Sequence, residues 1–326
     1  MKKLNLLICA IFGLINIFYS ISAISQEFPQ KPIRLIVPFA PGGNADINAR
    51  IYGTELQKVL GQPVIIESKA GAGGLIGNEF ASKADPDGYT LFFTSNGPLI
   101  YAPVINKKPQ LDWKKNFLPV SSVSFTPMAL QVDAKLPINN VKDLIAAIKA
   151  NPNGFTLGTS GSGGINHLES EMLQKQFGVN WLTVHYRGTG PAITDLLGGQ
   201  IQLTVDQVSV VQKYVKDGST RAIAVMAAKR TPWLPNVPTL REQGFLGVDD
   251  IQTFTGVFAP MGTPTKTINI LSEASQKVLS NPEVIKKFYD AGVQATWMSP
   301  KEFNNYLQKE DATWIPIVRQ MNITSD

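Results

Sequence analysis

Two glycine-rich turns are the stretches of this chain whose residue types could bind a ligand. The first, residues 38–43, follows a short apolar run, Ile33–Val37, and precedes a helical pattern that begins at Asn44, a candidate helix cap. The second, residues 159–164, also lies between a predicted strand and a predicted helix. Helix N-termini carry unpaired backbone N–H groups and partial positive charge, so both turns suit an anion. The alternative for the first turn is that Gly42 and Gly43 only relieve steric strain in an ordinary turn. The alternative for the second is a flexible loop.

We expect the ligand-binding residues to lie at these two turns and at the carboxyl ends of nearby strands. Short polar groups at strand ends stand where open α/β sheets bind ligands, although they are also common turn formers. The candidates are Phe39, Ala40, Pro41, Gly42, Gly43, Asp46, Ser95, Asn96, Thr159, Ser160, Ser162, Gly163, His167, Tyr186, Arg187 and Asp206.

Three of the charged candidates have a second interpretation. Arg187 could bind a carboxylate with its bidentate guanidinium, or it could be a solvated surface arginine. Asp206 follows the predicted strand 201–205, where its carboxylate could accept a ligand hydroxyl or ammonium group, or cap the next helix. Asp46 lies in the first turn of a helix, where an acid is favourable without any ligand.

Serine, histidine and aspartate occur near the second turn, but their spacing does not favour hydrolysis. A nucleophile elbow requires Gly-x-Ser-x-Gly, and neither Ser160 nor Ser162 has both glycines. His167 and His185 are the only histidines, and no cluster has metal-ligand spacing. Residues 71–77 miss the third glycine of a dinucleotide fingerprint. We therefore expect no catalytic residue, no metal and no cofactor.

The N-terminal residues have the pattern of a secretory signal peptide. Lys2 and Lys3 precede an apolar run that reaches about residue 19, and small residues follow up to a cleavage site near Ser25. An uncleaved membrane anchor is the alternative, because the run is close to the lower length limit for a span. Cys9, the only cysteine, lies inside this segment. The formal net charge of +5 is small and scattered, so we expect no nucleic-acid partner.

Strands that alternate with helices predict an α/β fold in the 326 residues. We predict strands at 33–39, 64–67, 89–94, 155–159, 181–185, 201–205, 221–227 and 251–258, with extended runs at 118–123 and 128–132. We predict helices at 44–60, 141–150, 165–177, 190–197, 208–215, 265–280, 282–290 and 300–319, and one that ends near residue 84. The C-terminal part lacks enough strands of its own, so we expect it to pack on the first lobe. Lobe 1 then contains residues 26–124 plus 252–326 and lobe 2 contains 125–251, with two crossings that act as a hinge.

Several motifs together resemble the extracytoplasmic solute receptors of the tripartite tricarboxylate transporter type, the Bug receptor family. They are VPFAPGGNAD at 37–46, GAGG at 71–74, DPDGYTL at 85–91, HYRG at 185–188, DLLGGQ at 195–200 and VPTLREQG at 237–244. The resemblance implies a two-lobed, type II-like periplasmic binding protein, each lobe a mainly parallel sheet flanked by helices. It also implies that the turn matching 39–46 holds one ligand carboxylate, largely through backbone groups and ordered water. The turn matching 159–164 then faces it from the other lobe.

The resemblance implies a monomeric periplasmic receptor without catalytic activity. Its ligand would be a small organic carboxylate, either a di- or tricarboxylate or an aromatic acid, and its partners the membrane permease subunits of the transporter. A receptor that presents its ligand to a membrane sensor kinase is the alternative, and a secreted hydrolase is a third. Family members vary around residues 165–166, so the identity of the ligand stays open.

Overall fold

The computed structural model describes residues 28–248, 251–321 and 323, so the predicted signal peptide lies outside the described residues. The strands are β1 (Ile33–Val37), β2 (Val64–Ser68), β3 (Thr90–Ser95), β4 (Phe117–Asp133), β5 (Thr156–Thr159), β6 (Leu182–His185), β7 (Leu203–Gln207), β8 (Thr220–Met226), β9 (Gln252–Pro260) and β10 (Gln294–Ala295). The helices are α1 (Asn44–Leu60), α2 (Leu75–Ser82), α3 (Ala102–Ile105), α4 (Trp113–Asn116), α5 (Val141–Ala150), α6 (Ile165–Phe177), α7 (Thr189–Leu197), α8 (Val208–Lys216), α9 (Thr265–Leu279), α10 (Pro282–Asp290) and α11 (Pro300–Gln320). A short 3₁₀ turn, Ala72–Gly74, precedes α2, and a π-helical turn, Gly97–Tyr101, precedes α3.

The strands form a mixed sheet that is parallel at its two ends and antiparallel between them. Their order is β2-β1-β3-β9-β4-β7-β5-β6, and β8 and β10 also pair with β4. At one end β1 pairs in parallel with β2 and β3, and at the other β5 pairs in parallel with β6 and β7. The long strands β4 and β9 pair antiparallel with each other and with their neighbours. The expected parallel pairing is therefore found in the two groups of strands at the ends of the sheet. The long antiparallel strands β4 and β9 lie between these groups and connect them.

Strand β4 is continuous from Phe117 to Asp133 and changes its pairing partners along its length. Its residues 117–127 pair with β9, and its residues 128–133 pair with β7 and β8. Both predicted extended runs, 118–123 and 128–132, lie in this strand, and the residues between them, which were not predicted as strand, pair with β9 through register shifts. Pro127 is the last residue that pairs with β9, so its missing N–H falls where the strand changes partners.

The C-terminal helix packs on the two long central strands, β4 and β9, in one aromatic core. Phe303 of α11 is fully buried and contacts Phe254 and Phe258 of β9, with ring centroids 5.5 and 5.3 Å apart. Phe92 and Phe117 stack beside them at 5.3 Å. The helix starts with a capping box, in which Ser299 and Glu302 bond each other's backbone N–H groups. Residues far apart in sequence therefore share one core.

The predicted range of α1, residues 44–60, agrees with the structure, but the residue that caps it differs. The residue that caps this helix is Gly43, whose backbone is extended, and no side chain bonds the free N–H groups. The prediction of Asn44 as the cap was wrong, because Asn44 is already helical and its side chain has other partners. None of the helices in the described ranges combines the length and the apolar character that crossing a bilayer requires.

Candidate functional site

A small cavity of about 20 Å³ lies where the ends of the two parallel strand groups meet. A volume of this size holds about one water molecule, so the walls of the cavity are nearly in contact. None of the lining side chains carries a charge at neutral pH. They are Phe39, Gly43, Asn44, Ala45, Ser95, Gly97, Ser160, Ile165, Asn166, Thr189, Gln207 and Thr253.

Four helix N-termini converge on this cavity. The lining includes the cap and first residues of α1, the first two residues of α6, the first residue of α7 and the cap of α8. At none of these four termini does the side chain of the cap residue bond an N–H of the first turn. By contrast, α5, α10 and α11 are capped by the side chains of Asn140, Asn281 and Ser299. The uncapped termini leave backbone donors and partial positive charge around a neutral cavity, which is a suitable environment for an anion.

Asn44 connects the first turn to the second half of the chain. Its side-chain oxygen Oδ1 accepts hydrogen bonds from Asn48 Nδ2 at 3.1 Å, Thr126 Oγ1 at 3.2 Å and Ser209 Oγ at 2.8 Å. The residue is buried, and its three partners lie on α1, β4 and α8. This amide therefore fixes the cavity wall by joining elements that are distant in sequence.

The second turn positions Ser160 and Asn166 through a chain of buried hydrogen bonds. Ser160 Oγ donates to Asn166 Oδ1 at 2.7 Å, and Asn166 Nδ2 donates to the backbone oxygen of Val205 at 2.5 Å. Thr159 Oγ1 lies 2.7 Å from His185 Nδ1 and accepts from the Gly161 N–H at 3.3 Å. The two hydroxyls of this turn thus hold its shape, and Ser160 lines the cavity.

Glycines allow the two halves of the chain to touch beside the cavity. Gly73 has a φ of +62°, and a Cβ on it would overlap the backbone oxygen of Ser162. Gly163 has a φ of +78°, and its Cβ would come within 2.9 Å of the Ala102 Cα. A close backbone approach of this kind requires a residue without a side chain. The turn at 71–74 therefore packs on the turn at 159–164.

The remaining predicted residues of the first turn surround the cavity or hold the turn. Gly42 has a φ of +91°, and its N–H donates to Asp46 Oδ2 at 3.0 Å. Asp46 also pairs with Arg50, at 2.9 and 3.0 Å, so its carboxylate holds the turn and is absent from the cavity lining. The Ala40 N–H donates to the Arg187 backbone oxygen at 3.4 Å. The Pro41 oxygen lies against Gly190.

Several predicted residues beyond the first turn lie behind the cavity wall. The Gly163 N–H donates to His167 Nδ1 at 3.0 Å, and the ring of His167 lies 4.4 Å from that of His185. Asn96 Nδ2 donates to the Gln252 oxygen at 3.1 Å, while Ser95 lines the cavity. The Tyr186 hydroxyl donates to Asp195 at 2.7 Å, and the Arg187 side chain is exposed. Ser162 Oγ is buried without a hydrogen-bond partner among the described residues.

Asp206 lies inside β7, directly behind the lining. Its Oδ1 accepts from the Gln207 N–H at 2.8 Å, and the polar side chains of Thr189 and Asn166 lie near its carboxylate. Burial raises the pKa of Asp206 to about 6, although these three neighbours oppose the shift. The carboxylate thus lies beside three residues that line the cavity, namely Gln207, Thr189 and Asn166.

Sequence reasoning missed eight lining residues: Asn44, Ala45, Gly97, Ile165, Asn166, Thr189, Gln207 and Thr253. Most of them are the first residues of helices, which the free N–H argument could have included. Thr253 lies on β9, and no local pattern connects it to either turn. A third acid, Glu169, was also missed. It stands on the apolar stripe of α6 with Ile165, Leu168, Met172 and Leu173, and an acid at such a position is a detectable signal.

The geometry favours binding through neutral dipoles. The Ser160 hydroxyl donates to an amide oxygen, which cannot accept a proton as a general base does. In the part of the chain that the structure describes, no three histidine, cysteine or acidic side chains come together as metal ligands would. The cavity instead presents backbone N–H groups, hydroxyls and amides.

Comparison with known proteins identifies relatives along nearly the whole chain. A family model described as Tripartite tricarboxylate transporter family receptor matches residues 48–323. Protein BugT of Bordetella pertussis is 32% identical over 318 residues, which cover 95% of this chain and 97% of that protein.

Solved structures of periplasmic binding proteins have the same fold. The periplasmic binding protein BugD matches with a TM-score of 0.88 at 32% identity, over 92% of this chain and 100% of that chain. MatC from Rhodopseudomonas palustris, solved with bound malate, matches with a TM-score of 0.84 at 29% identity, over 89% of this chain and 100% of that chain. The fold described above is therefore an α/β fold of the periplasmic binding protein type.

Proposed function

This chain belongs to the tripartite tricarboxylate transporter receptor family, and on that premise we propose that it is a receptor for a small organic dicarboxylate. The ligand binds at the cavity between the two glycine turns, whose walls must move apart to hold a molecule larger than one water. The observation that carries the proposal is the convergence of four uncapped helix N-termini on a cavity without charged lining residues. The malate bound to MatC supports the choice of a short dicarboxylate.

The two ends of such a ligand have matching groups on opposite walls. One carboxylate accepts hydrogen bonds from the backbone at Asn44 and Ala45, and the other from the backbone at Ile165 and Asn166, either directly or through water. Hydrogen bonds to charged groups contribute about 1.5–3 kcal/mol each, so a few of them suffice without a lysine or arginine. Thr189 places a hydroxyl on the wall between the two ends, beside Ser160, whose own O–H is already bonded to Asn166.

Binding in this proposal closes two lobes around the ligand. Lobe 1 contains residues 26–124 plus 252–326 and lobe 2 contains residues 125–251. The change of partner in β4 after Pro127, opposite Gln252, supports a hinge at these two crossings. Gln207 Nε2 donates to Thr253 Oγ1 at 3.1 Å across that boundary, and Asn44 bonds Ser209 across it. Ligand contacts on both walls then favour the closed state, because only differential contacts shift such an equilibrium.

Membership of the family supports a more specific role in export, location and transport. We propose that the chain is exported by its N-terminal signal segment, acts in the periplasm as a monomer without catalytic activity, and delivers its ligand to the permease subunits of a tripartite tricarboxylate transporter. The family's receptor description and the periplasmic relatives support this role.

Titration calorimetry with a panel of carboxylates tests the proposal. The panel contains malate, succinate, glutarate, adipate, citrate and benzoate, and a thermal-shift screen first ranks these acids, since a bound ligand raises the melting temperature. We expect one-to-one binding of at least one short dicarboxylate. Failure of every acid to bind would refute the proposed function.

A pair of substitutions at Gly43 then tests the location of the site. Its φ of −88° accepts any residue, and an alanine Cβ would lie 3.6 Å from Thr189 Cβ, which is an ordinary contact. Gly43→Ala therefore changes affinity little. The longer side chain of Gly43→Val enters the cavity and weakens binding by about 1–3 kcal/mol, through lost or strained hydrogen bonds to a charged group. Equal affinities of the two variants would place the ligand elsewhere.

A further inference from the structure

Two buried carboxyl groups lie behind the cavity without a cation. Asp206 on β7 is 2% exposed, and Glu169 on α6 is 1% exposed. Neither carboxyl has a lysine or arginine partner among the described residues. Glu169 is one helical turn after Asn166, a lining residue, so it stands on the face of α6 that packs toward the cavity.

The two acids differ in their hydrogen bonds. Asp206 accepts a hydrogen bond from the Gln207 N–H, and the polar side chains of Thr189 and Asn166 lie near its carboxylate. Both carboxyl oxygens of Glu169 are buried without a hydrogen-bond partner in the described ranges. Donors stabilise a charged carboxylate, whereas burial without donors favours the neutral acid. Glu169 is therefore the acid that keeps its proton, and Asp206 is the one that ionises.

The pKa directions agree with this asymmetry. Burial raises the pKa of Asp206 to about 6. Burial, and then the charge of Asp206, raises the pKa of Glu169 well above its usual value. Because these two acids interact, they lose their protons in two steps, and the apparent pKa of each step describes the pair and not one residue.

Other titratable groups on the neighbouring elements do not neutralise the pair. Tyr101, in the turn before α3, interacts electrostatically with Glu169, and its hydroxyl donates to Glu310 on α11 at 3.4 Å. His167 accepts from Gly163, and His185 bonds Thr159. The other groups on these elements are exposed, partly exposed or bonded elsewhere: Glu171, Lys175, Asp133, Asp195, Lys213, Tyr214 and Lys216.

We propose that Glu169 and Asp206 determine the charge that the site accepts, so that each dicarboxylate dianion binds together with about one proton. This inference rests on the proposed function. A dianion in the cavity faces helix N-termini on its near side and the Asp206 carboxylate behind the wall. Because like charges repel, the bound dianion favours the protonated form of Asp206. The pair therefore selects ligands by net charge, while the helix termini select for the carboxylate group.

The sign of the pH dependence follows from linkage. Asp206 is mostly ionised in the ligand-free protein above pH 6, and it takes up a proton when the dianion binds. Both carboxyl groups of a short dicarboxylic acid are mostly ionised above pH 6, so the ligand's own titration contributes little in this range. Affinity then falls as the pH rises from 6 to 8, by up to about tenfold per pH unit for one proton.

Calorimetry of malate binding in buffers with different ionisation enthalpies measures the proton directly. At pH 7 we expect the wild type to take up between half a proton and one proton per malate, and Asp206→Asn to take up close to none. Glu171→Gln is the matched control, because it makes the same kind of change on α6 at a partly exposed position outside the lining. It should keep the wild-type uptake. Malate binding without proton uptake in the wild type would overturn this inference and leave the proposed function intact.

A melting series without ligand tests the pair independently. The folded pKa of Glu169 is raised, so its contribution to stability is present at low pH and is lost as the pH rises through that pKa. The melting temperature of Glu169→Gln should therefore increase relative to the wild type between pH 5 and pH 8. A difference that does not change with pH would show that Glu169 holds no proton. If no acid binds, the proposed function and proton-linked binding fall together, and this series still decides the state of the pair.

Discussion

Gly73→Ala separates closure of the cleft from stability of the fold. Gly73 lies in the turn at 71–74, and its added Cβ would overlap the backbone oxygen of Ser162 in the facing turn. A backbone atom cannot rotate away as a side chain does, so the overlap is relieved only when the two turns separate. In the proposed mechanism that separation opens the cleft and leaves the fold of each lobe unchanged.

The expected magnitude has two parts. The φ of +62° at Gly73 is left-handed, and an alanine there costs about 1–2 kcal/mol whether the cleft is open or closed. The overlap adds a second cost only to the closed state, and overpacking of this kind typically costs about 1–3 kcal/mol. Because the ligand binds the closed state, the second cost lowers its affinity by about 5- to 150-fold.

Titration calorimetry and urea unfolding of two variants measure these parts. Gly61→Ala is the matched control, because Gly61 has a similar φ of +67° and an added Cβ there would meet no atom within 4 Å. Both variants should lose similar stability without ligand, and only Gly73→Ala should lose affinity. Equal affinity of Gly73→Ala and Gly61→Ala would refute the reasoning that the turns close on the ligand.

Two further substitutions test other parts of the account. Asn44→Ala removes the common acceptor of three buried donors, including Ser209, and should lower the free energy of unfolding by about 1–3 kcal/mol in urea titrations. If the urea midpoint of Asn44→Ala equals that of the wild type, water replaces this acceptor without loss of stability. Lys287→Gln removes the ion pair of Lys287 with Glu55, which joins α10 to α1 at 2.6 Å. Hydrogen bonds from Lys287 and Lys58 lower the pKa of Glu55, so the contribution is present above its ordinary pKa and is lost as the pH falls through the lowered value. The melting temperature of Lys287→Gln should be below that of the wild type at pH 7, and the two should converge below pH 4. A difference that does not change with pH would contradict a stabilising ion pair.

The elements that the sequence predicted best are those with a clear local start and stop. The predicted bounds of α5, α6 and α10 agree with the structure, because a glycine, asparagine or proline marks their ends. Strand β7 was predicted at 201–205 and is found at Leu203–Gln207. Ile201 is apolar because it packs with Ile193 and Leu196 of α7, not because it belongs to the sheet. This shift places Asp206 inside the strand.

The candidate site was only partly predictable for a similar reason. The glycine turns are local signals, and they led to Phe39, Gly43 and Ser160, which line the cavity. The partners that give Asn44 its position, Thr126 and Ser209, are 82 and 165 residues away along the chain. Pairings over such distances arise from the sheet order, in which β9 returns between β3 and β4, and no local pattern encodes them.

The most direct test of the central claim is to map the amide groups that the ligand perturbs. In ¹⁵N NMR spectra of the deuterated protein, saturating malate, or the tightest acid of the panel, should shift the backbone amides of Asn44, Ala45, Ile165 and Asn166 most strongly. These are the N–H groups at two of the uncapped helix N-termini that line the cavity. A contradicting result would be saturable binding whose largest shifts lie at the lysine-rich surface groove near residues 107–115, with the two termini unchanged.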